Sequence, residues 1–219
     1  MKIFLTYLAI LFFAGTVYLQ DVPSFQIARL KYNGGGDWYN DPSSEINLLK
    51  FVSQQTGMKT KPEYVFADIG SEKIFSYPFL FLTGHGNISF SEAEARRLRK
   101  YLENGGFLYA DDDYGMDQSF RREMRKVFPD QKLVEIPFTH PIYSSVFKFS
   151  NGLPKIHEHD NKPPQGFGFF LSGRLCLFYT YECNLGDGWA DPELYNDPPE
   201  KREAALRMGT NIVVYSLTN

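Results

Sequence analysis

The sequence predicts an α/β domain of three layers, in which a mostly parallel sheet lies between helices and an antiparallel hairpin comes late in the chain. Short apolar runs alternate with stretches of helical spacing, which is typical of parallel strands joined by right-handed crossovers. The run 79–82 is apolar throughout, as expected for a strand that is covered on both faces. Late in the chain, Ser172-Gly173 separates two apolar runs and predicts a tight hairpin turn.

The first half of the chain contains three predicted strands and two predicted helices. Asp41 and Pro42 suit the cap and first position of a helix, and Gly57 is expected to end it. Ser91 and Glu94 form a capping box that opens the next helix. The predicted strands of this half are 26–32, 64–67 and 79–82.

The second half continues the alternation and then changes to the hairpin. Gly105 follows the helix that begins near Ser91, and Phe120, Met124 and Val127 mark a further helix by their spacing. Asp197 precedes two prolines that open the final helix. The predicted strands of this half are 106–110, 133–136, 166–171 and 175–179.

The composition indicates a single folded domain over residues 21–219. Hydrophobic residues make up 43% of the chain and aromatic residues 16%, which is enough to bury a substantial core. The formal net charge is −3, and no basic run or stripe is present. A nucleic-acid partner is therefore not expected.

Residues 1–20 are predicted to be a signal peptide or a membrane anchor. Lys2 is followed by a run at 3–19 without charge, and the next charged residue is Asp21. Such a run behind a single lysine is typical of an export signal, and its length is at the lower limit for spanning a bilayer. We therefore expect an exported protein, periplasmic or anchored in the cell membrane by this segment alone. A buried first strand is the alternative that the length and Lys2 disfavour.

Three consecutive aspartates mark the expected site. Asp111, Asp112 and Asp113 follow a short apolar run, and ligands of open α/β sheets bind at the carboxyl ends of strands. His85 follows another predicted strand, so a parallel sheet would bring it to the same edge. We expect these four residues to act as catalytic groups, since an imidazole beside carboxylates can serve as a general base. The alternative is that an aspartate caps the next helix and His85 bonds to it.

A second polar segment carries the expected metal ligands. In extended backbone, His157 and His159 share a face. With Glu158 they could chelate a divalent metal, which is the cofactor that such groups suit. A polar loop with one histidine bonded to the backbone is the alternative.

Two further side chains are candidates for ligand binding. Arg121 lies at the start of the helix after the aspartates, where it could bind a substrate anion or pair with Asp111 or Asp113. His140 precedes Pro141, which forces extended or turning backbone. His140 is expected either to point into the crevice or to anchor that turn.

Two loops combine glycine, aspartate and tryptophan, with Asp37 and Trp38 in one and Asp187 and Trp189 in the other. A ring can stack on a sugar while a carboxylate accepts from its hydroxyls, so these residues are candidate glycan contacts. The alternative is turn chemistry with a tryptophan that fills the core.

Several motifs in a fixed order carry a family resemblance. They are Gly34-Gly35-Gly36-Asp37-Trp38-Tyr39-x-Asp41-Pro42, Thr83-Gly84-His85-Gly86, Gly105-Gly106-Phe107-Leu108-x-Ala110-Asp111-Asp112, Lys155-Ile156-His157-Glu158-His159, Gly186-Asp187-Gly188-Trp189 and Ala205-Leu206-Arg207-Met208-Gly209-x-Asn211-Ile212. Over residues 25–218 the chain resembles the bacterial family called domain of unknown function 4159. The resemblance implies an envelope protein without an assigned activity.

That family is similar to the class I glutamine amidotransferase-like superfamily, including its ThuA-like branch. The resemblance implies a flavodoxin-like sheet with the functional residue in a turn after an apolar strand. Amidotransferases carry a nucleophilic cysteine there, whereas the matching positions here are Asp111, Asp112 and Asp113. Cysteine-dependent amidotransfer is therefore rejected. His140-Pro141 is similar to a His-Pro element of the ThuA-like branch.

The preferred hypothesis is an exported hydrolase that depends on a metal or on carboxylate and imidazole groups. The alternatives are a module that binds a small molecule or glycan without turnover, and a scaffold that binds protein partners in the cell envelope.

Overall fold

The computed structural model describes residues 23–219, which fold into a seven-stranded sheet covered by helices. The segment predicted to be a signal or anchor lies outside the described residues, and no helix within 23–219 is both long and apolar enough to cross a bilayer. The strands are β1 Ile27–Lys31, β2 Phe66–Asp68, β3 Phe79–His85, β4 Phe107–Tyr114, β5 Val134–Glu135, β6 Gln165–Leu171 and β7 Arg174–Tyr181. The helices are α1 Ser44–Thr56, α2 Glu92–Glu103, α3 Asp117–Val127, α4 Leu185–Trp189, α5 Pro192–Tyr195 and α6 Pro199–Thr218, with 3₁₀ turns at Glu72–Ser76 and Pro141–Tyr143.

The sheet is mostly parallel. Its order is β2-β1-β3-β4-β7-β6-β5, and β1 to β4 run parallel to one another and to β7. Strand β6 is antiparallel to both of its neighbours. The predicted α/β class and the late antiparallel hairpin are therefore confirmed. The carboxyl ends of β1, β3, β4 and β7 meet at one edge of the sheet, which we call the carboxyl edge.

Two hydrophobic cores fill the space between the sheet and its two helical layers. Leu108 and Ala110 of β4 belong to the core under α2 and α3, whereas Phe107 and Tyr109 belong to the core under α1 and α6. Successive side chains of a strand point to opposite faces, so this alternation decides where each of the following aspartates points.

Several local predictions are confirmed. Gly57 ends α1 in the left-handed conformation, and its N–H donates to the carbonyl of Ser53. Ser91 and Glu94 form the capping box of α2. The hairpin turns at Ser172 and Gly173, which have φ angles of 50° and 84°, as a type I′ turn requires.

Other local predictions are wrong. Asp41 does not cap α1, which begins at Ser44, because Asp41 takes a left-handed backbone with φ 46°. Strands β3 and β4 continue through the polar residues to His85 and Tyr114, since Thr83 pairs with Asp111 and extends the ladder. The segment 186–189, expected to be a loop, lies in helix α4.

Candidate functional site

The three aspartates of β4 are buried and point to two different faces of the sheet. Asp111 and Asp113 bond to residues of the α4 segment. Asp112 bonds to the start of α3. This separation follows from the pleat of the strand, and it divides a run of identical residues into groups with different surroundings.

Asp111 holds α4 against the sheet. Its Oδ1 accepts a hydrogen bond from the Thr180 hydroxyl at 2.5 Å, and its Oδ2 accepts from the Gly186 N–H at 2.7 Å. Burial raises the pKa of Asp111 to about 7, and these two hydrogen bonds limit the rise. Asp111 is almost fully buried, and both of its oxygens bond to protein groups. Its role is therefore structural.

Asp112 secures the turn into α3. Its Oδ1 accepts from the Met116 N–H at 2.9 Å, and the Tyr179 hydroxyl donates to Oδ2 at 3.3 Å. Burial raises the pKa of Asp112 to about 6, and the Met116 N–H opposes that rise. The capping alternative therefore describes Asp112 well.

Asp113 lies at the centre of a carboxylate cluster. One carboxylate oxygen from each of Asp41, Asp113 and Asp187 lies within 4.8 Å of the others. Asn40 donates to Asp113 Oδ2 at 2.5 Å, and Asn184 donates to Asp113 Oδ1 at 2.9 Å. We call Asp41, Asp113 and Asp187 the carboxylate triad, whose members come from three separate parts of the chain.

The carboxylate triad contains more negative charge than its surroundings neutralise. Burial, and then the neighbouring Asp187, raise the pKa of Asp113 to about 9, and burial raises that of Asp41 to about 6. Burial opposes ionisation of Asp187 as well, but hydrogen bonds from His157 and Asn184 lower its pKa. Like charges this close cannot all ionise without compensation, so the triad suits shared protons or a cation. Its all-oxygen donor set fits Mg²⁺, Ca²⁺ or Mn²⁺.

His85 lies beside the triad with its Nδ1 held by two carboxylates. Nδ1 is 3.0 Å from Asp37 Oδ2 and 3.2 Å from Asp113 Oδ2, and the His85 N–H donates to Asp37 Oδ1 at 2.5 Å. Gly84 permits this approach, since a Cβ there would lie 3.0 Å from Asp37 Oδ1 and 2.4 Å from the Tyr32 hydroxyl. The side chain is 49% exposed, and Nε2 makes no hydrogen bond within residues 23–219.

His157 is held on both sides by carboxylates. Its Nδ1 is 2.8 Å from Asp187 Oδ2, and its Nε2 is 3.1 Å from Asp197 Oδ1. The hydrogen bond with Asp187 is the main reason that the pKa of His157 is raised, although burial opposes the shift. Both ring nitrogens of His157 therefore face carboxylates, and the hydrogen bond to Asp187 stabilises that carboxylate.

The predicted metal ligands do not converge on one point. His157 reaches Asp187, whereas His159 Nε2 lies 2.9 Å from Asn184 Oδ1 and its ring packs on Tyr114. Glu158 is exposed and pairs with Lys155 at 2.8 Å. The prediction of a three-residue chelate at 157–159 is therefore wrong, because the segment bends at His157 and His159 and each of the three side chains has a different partner.

Arg121 does not reach Asp111 or Asp113. It pairs with Asp117 at 2.6 Å, one helical turn earlier, and its guanidinium lies 4.3 Å from the centre of the Phe167 ring. These contacts satisfy the guanidinium on the α3 face of the sheet, so the predicted pairing with the aspartates is wrong.

His140 anchors a turn at the edge opposite to the site. Its Nδ1 accepts from the Ile142 N–H at 3.3 Å, and its ring contacts Phe170 and Tyr215. Tyr215 packs on Phe107 at the start of β4. Of the two predicted positions for His140, the structure therefore shows the turn.

The two tryptophans differ in their surroundings. Trp189 is buried in the core, and its Nε1–H donates to the carbonyl of Ala205 at 2.8 Å, so its prediction as a glycan contact is wrong. Trp38 is half-buried and contacts Tyr39 and Phe66, which are exposed.

A buried ion pair positions one of the residues that surround Asp113. Arg29 binds both carboxylate oxygens of Glu45, at 2.5 and 2.8 Å. Arg29 also donates to the carbonyls of Trp38 and Asn40 and to Asn40 Oδ1. This last contact orients the amide so that Nδ2 faces Asp113.

Sequence reasoning missed one member of the triad, Asp41, and four polar residues around the triad. Two of them, Asp41 and Asn184, have left-handed backbone, with φ angles of 46° and 52°, and such strained residues concentrate at functional sites. Tyr195 donates to Asp41 Oδ2 at 2.8 Å. The missed residues are Asn40, Asp41, Asn184, Tyr195 and Asp197. Sequence reasoning also missed Arg29, and its position between Ala28 and Leu30 in a predicted strand was the available signal.

Comparison with known proteins places the chain in a family. The family model described as "Domain of unknown function (DUF4159)" matches residues 26–217, so the chain belongs to that family. No curated protein matches the chain.

Proposed function

We propose that this member of the DUF4159 family is a hydrolase in which His85 activates a water molecule and the carboxylate triad holds a divalent cation. The observation that carries the proposal is the meeting of three carboxylates from separate segments beside an oriented imidazole at the carboxyl edge. Ligand sites of open α/β sheets lie at this edge. Buried like charges are costly to stability, which favours a functional reason for the cluster.

His85 has the geometry of a general base. Its Nδ1–H is oriented by Asp37 and Asp113, which leaves the exposed Nε2 to accept a proton from water. Asp37 also stabilises the imidazolium that forms, as the carboxylate does in a catalytic triad. A bound cation would supply charge that polarises the scissile group.

The strand order supports the relationship to the class I glutamine amidotransferase-like fold. The order β2-β1-β3-β4-β7 corresponds to the flavodoxin-like order, whose ligand lies where the order reverses, between β1 and β3. Asp37 follows β1 and His85 ends β3, so both lie at that point.

A reaction without a thiolate also has support. Cys176 and Cys183 are buried free thiols. Burial raises the pKa of Cys176 to about 12 and that of Cys183 well above its usual value, so both resist forming the nucleophilic thiolate.

Export remains part of the proposal and rests on the sequence of residues 1–20 alone. Secretion of the full-length chain with a reporter fused to its carboxyl terminus would test it. Reporter activity that stays inside the cell would contradict export.

Hydrolysis can be tested with chromogenic probes. The full-length chain would be assayed on p-nitrophenyl acetate, bis-p-nitrophenyl phosphate and p-nitrophenyl glycosides, with Mg²⁺, Mn²⁺ or Ca²⁺ and with EDTA. We expect turnover of one ester, phosphate or glycoside that EDTA and His85→Ala each reduce by about 100-fold or more, within the range of general-base catalysis.

His140→Ala is the matched control, because it removes an imidazole at the opposite edge. Absence of turnover on every probe, or equal activity of His85→Ala and His140→Ala, would contradict a hydrolase centred on His85.

A binding module without turnover is the second candidate. The exposed rings of Tyr39 and Phe66, with Trp38 between them, favour it, since exposed aromatic side chains are common at binding surfaces. Ligand binding in the presence of EDTA without turnover would support this candidate.

A further inference from the structure

We infer that a cavity beside Asp113 is a recognition chamber for one sugar ring, which would give the proposed hydrolase a saccharide substrate. This link to catalysis rests on the proposed function, whereas sugar binding itself does not. The chamber has a volume of about 250 Å³ and opens at the carboxyl edge between β4 and β7. Its wall includes Asp113, Tyr114, Gly115, Gln118, Lys162 and Tyr181.

The size of the chamber limits the ligand. Sites for drug-sized molecules measure about 300–1,000 Å³, and this chamber of about 250 Å³ lies just below that range. A single ring with its substituents therefore fits, and any remaining part of a larger substrate would extend towards solvent.

Tyr114 offers an aromatic wall. Its ring centre is 4.7 Å from that of His159, which fixes its position, yet the residue is 51% exposed. Aromatic rings have an apolar face that packs against other apolar surface. The C–H face of a pyranose is a ligand surface that combines such apolar contact with hydroxyls at its rim.

The polar groups of the chamber include both donors and acceptors. Lys162 donates to the Tyr181 hydroxyl at 2.8 Å and lies 3.6 Å from Asp160 Oδ2. The amide of Gln118 is exposed and makes no hydrogen bond within residues 23–219. Hydroxyl groups both donate and accept, so a sugar can use this mixture, whereas an apolar ring would leave it unused.

Charge disfavours an anionic ligand. The carboxylates of Asp112, Asp117 and Glu182 also line the chamber, and they would repel an anion. A neutral, hydroxyl-rich ring avoids that repulsion and can donate hydrogen bonds to the carboxylates. An amine is the competing ligand class, because the wall has one lysine and several carboxylates, and benzylamine represents that class in the test.

Direct hydrogen bonds connect the chamber to the carboxylate triad. His159 Nε2 is 2.9 Å from Asn184 Oδ1, and Asn184 Nδ2 donates to the carbonyl of Asp113 at 2.7 Å. The chamber and the triad therefore share Asp113. A sugar ring in the chamber would lie beside one member of the triad, Asp113, and the substrate would have to extend from the chamber to reach His85, which does not line it.

The inference can be tested by binding without turnover. Saturation-transfer NMR and calorimetry would be run with glucose, galactose, mannose and N-acetylglucosamine in EDTA, using the full-length chain. We expect at least one sugar to bind, and Tyr114→Ala to weaken binding by about 10-fold, whereas Tyr114→Phe keeps the affinity. Phe138→Ala is the matched control, because Phe138 is an exposed aromatic residue that does not line the chamber.

The outcomes separate this inference from the proposed function. Binding of benzylamine or benzoate but of none of the four sugars would overturn it, as would no binding at all. Equal effects of Tyr114→Ala and Phe138→Ala would also overturn it. If sugars bind as expected but His85→Ala leaves every hydrolytic rate unchanged, the chamber stands and the hydrolase proposal fails.

Discussion

Asp111 and Asp113 lie two residues apart on the same face of β4, and both are buried, yet their surroundings differ. Asp111 faces a hydroxyl and a backbone N–H, which satisfy its two oxygens. Asp113 faces two amides and also two further carboxylates. A structural residue and a candidate functional residue thus have the same acidic side chain and are both buried. The uncompensated charge around Asp113 is what distinguishes them.

The largest expected effect on stability is that of replacing Arg29, which supports the region around Asp113. Arg29→Met should reduce the free energy of unfolding by about 3–5 kcal/mol, because it leaves Glu45 buried without its partner. The double variant Arg29→Met with Glu45→Leu should recover most of that loss, since an apolar pair often replaces a buried ion pair. Urea unfolding would measure both variants.

The same two variants also test whether Arg29 affects the affinity of the triad for a cation. In the double variant Asn40 loses the guanidinium that orients it, so affinity for Mn²⁺ should stay below that of the wild type although stability returns. Full recovery of affinity would show that Arg29 supports only the fold.

The second prediction contrasts the two aspartates directly. Asp111→Ala should lower the free energy of unfolding by about 2–4 kcal/mol, because it leaves the Gly186 N–H and the Thr180 hydroxyl unsatisfied in the core. Asp113→Asn should destabilise the cation-free protein at pH 8 by less, because Asp113 is largely protonated, and therefore uncharged, at that pH. Equal losses in chemical denaturation would refute the distinction between these residues.

The third prediction concerns pH. In EDTA, the free energy of unfolding of the wild type should fall by more than about 1 kcal/mol between pH 5 and pH 9. The pKa of Asp113 is raised to about 9 and that of Asp41 to about 6, both above the unfolded value of about 3.9. Stability from the bound protons is therefore complete below that unfolded value and is lost as pH rises through the folded values.

Asp113→Asn should make this fall smaller when unfolding is followed by circular dichroism. The fall should not disappear, because Asp41, Asp111 and Asp112 also have raised pKa values. An unchanged slope in the variant would show that Asp113 carries its charge in the folded state without difficulty, which contradicts the account of the triad.

The smallest expected effect is that of Asp112→Asn. Its Oδ1 can still accept from the Met116 N–H, so we expect a stability loss of about 1 kcal/mol or less and unchanged cation affinity in a calorimetric titration. A loss of affinity as large as that of Asp113→Asn would place Asp112 in the same functional group.

The sequence was sufficient for the order of the seven strands and the four longer helices, and for the convergence of His85 with the aspartate run, whereas α4 and α5 were not predicted. Parallel strands bring their carboxyl ends to one edge, so two polar segments after β3 and β4 must meet there. The alternation of side chains could also have separated Asp112 from its neighbours. That step required knowing that β4 continues through the aspartates. Three consecutive carboxylates instead predicted that the strand ends before them.

The rest of the site depends on contacts between distant segments. Asp41 looks like a helix cap in sequence, and only its left-handed backbone turns it towards Asp187. His157 and His159 were expected to bind one metal ion together, but their partners Asp187 and Asn184 belong to the α4 segment. No local pattern encodes such pairings, because they arise from packing after the sheet has formed.

Calorimetric titration of the full-length chain with Mn²⁺ at pH 7, in buffers of different ionisation enthalpy, tests the central claim most directly. We predict one bound ion per chain with release of protons, because Asp113 is protonated in the ion-free triad. Asp113→Asn should weaken binding at least 10-fold, which is about 1.4 kcal/mol, and Asp112→Asn should not. No binding at millimolar Mn²⁺, or binding that Asp113→Asn leaves unchanged, would contradict the assignment of the triad as a cation site.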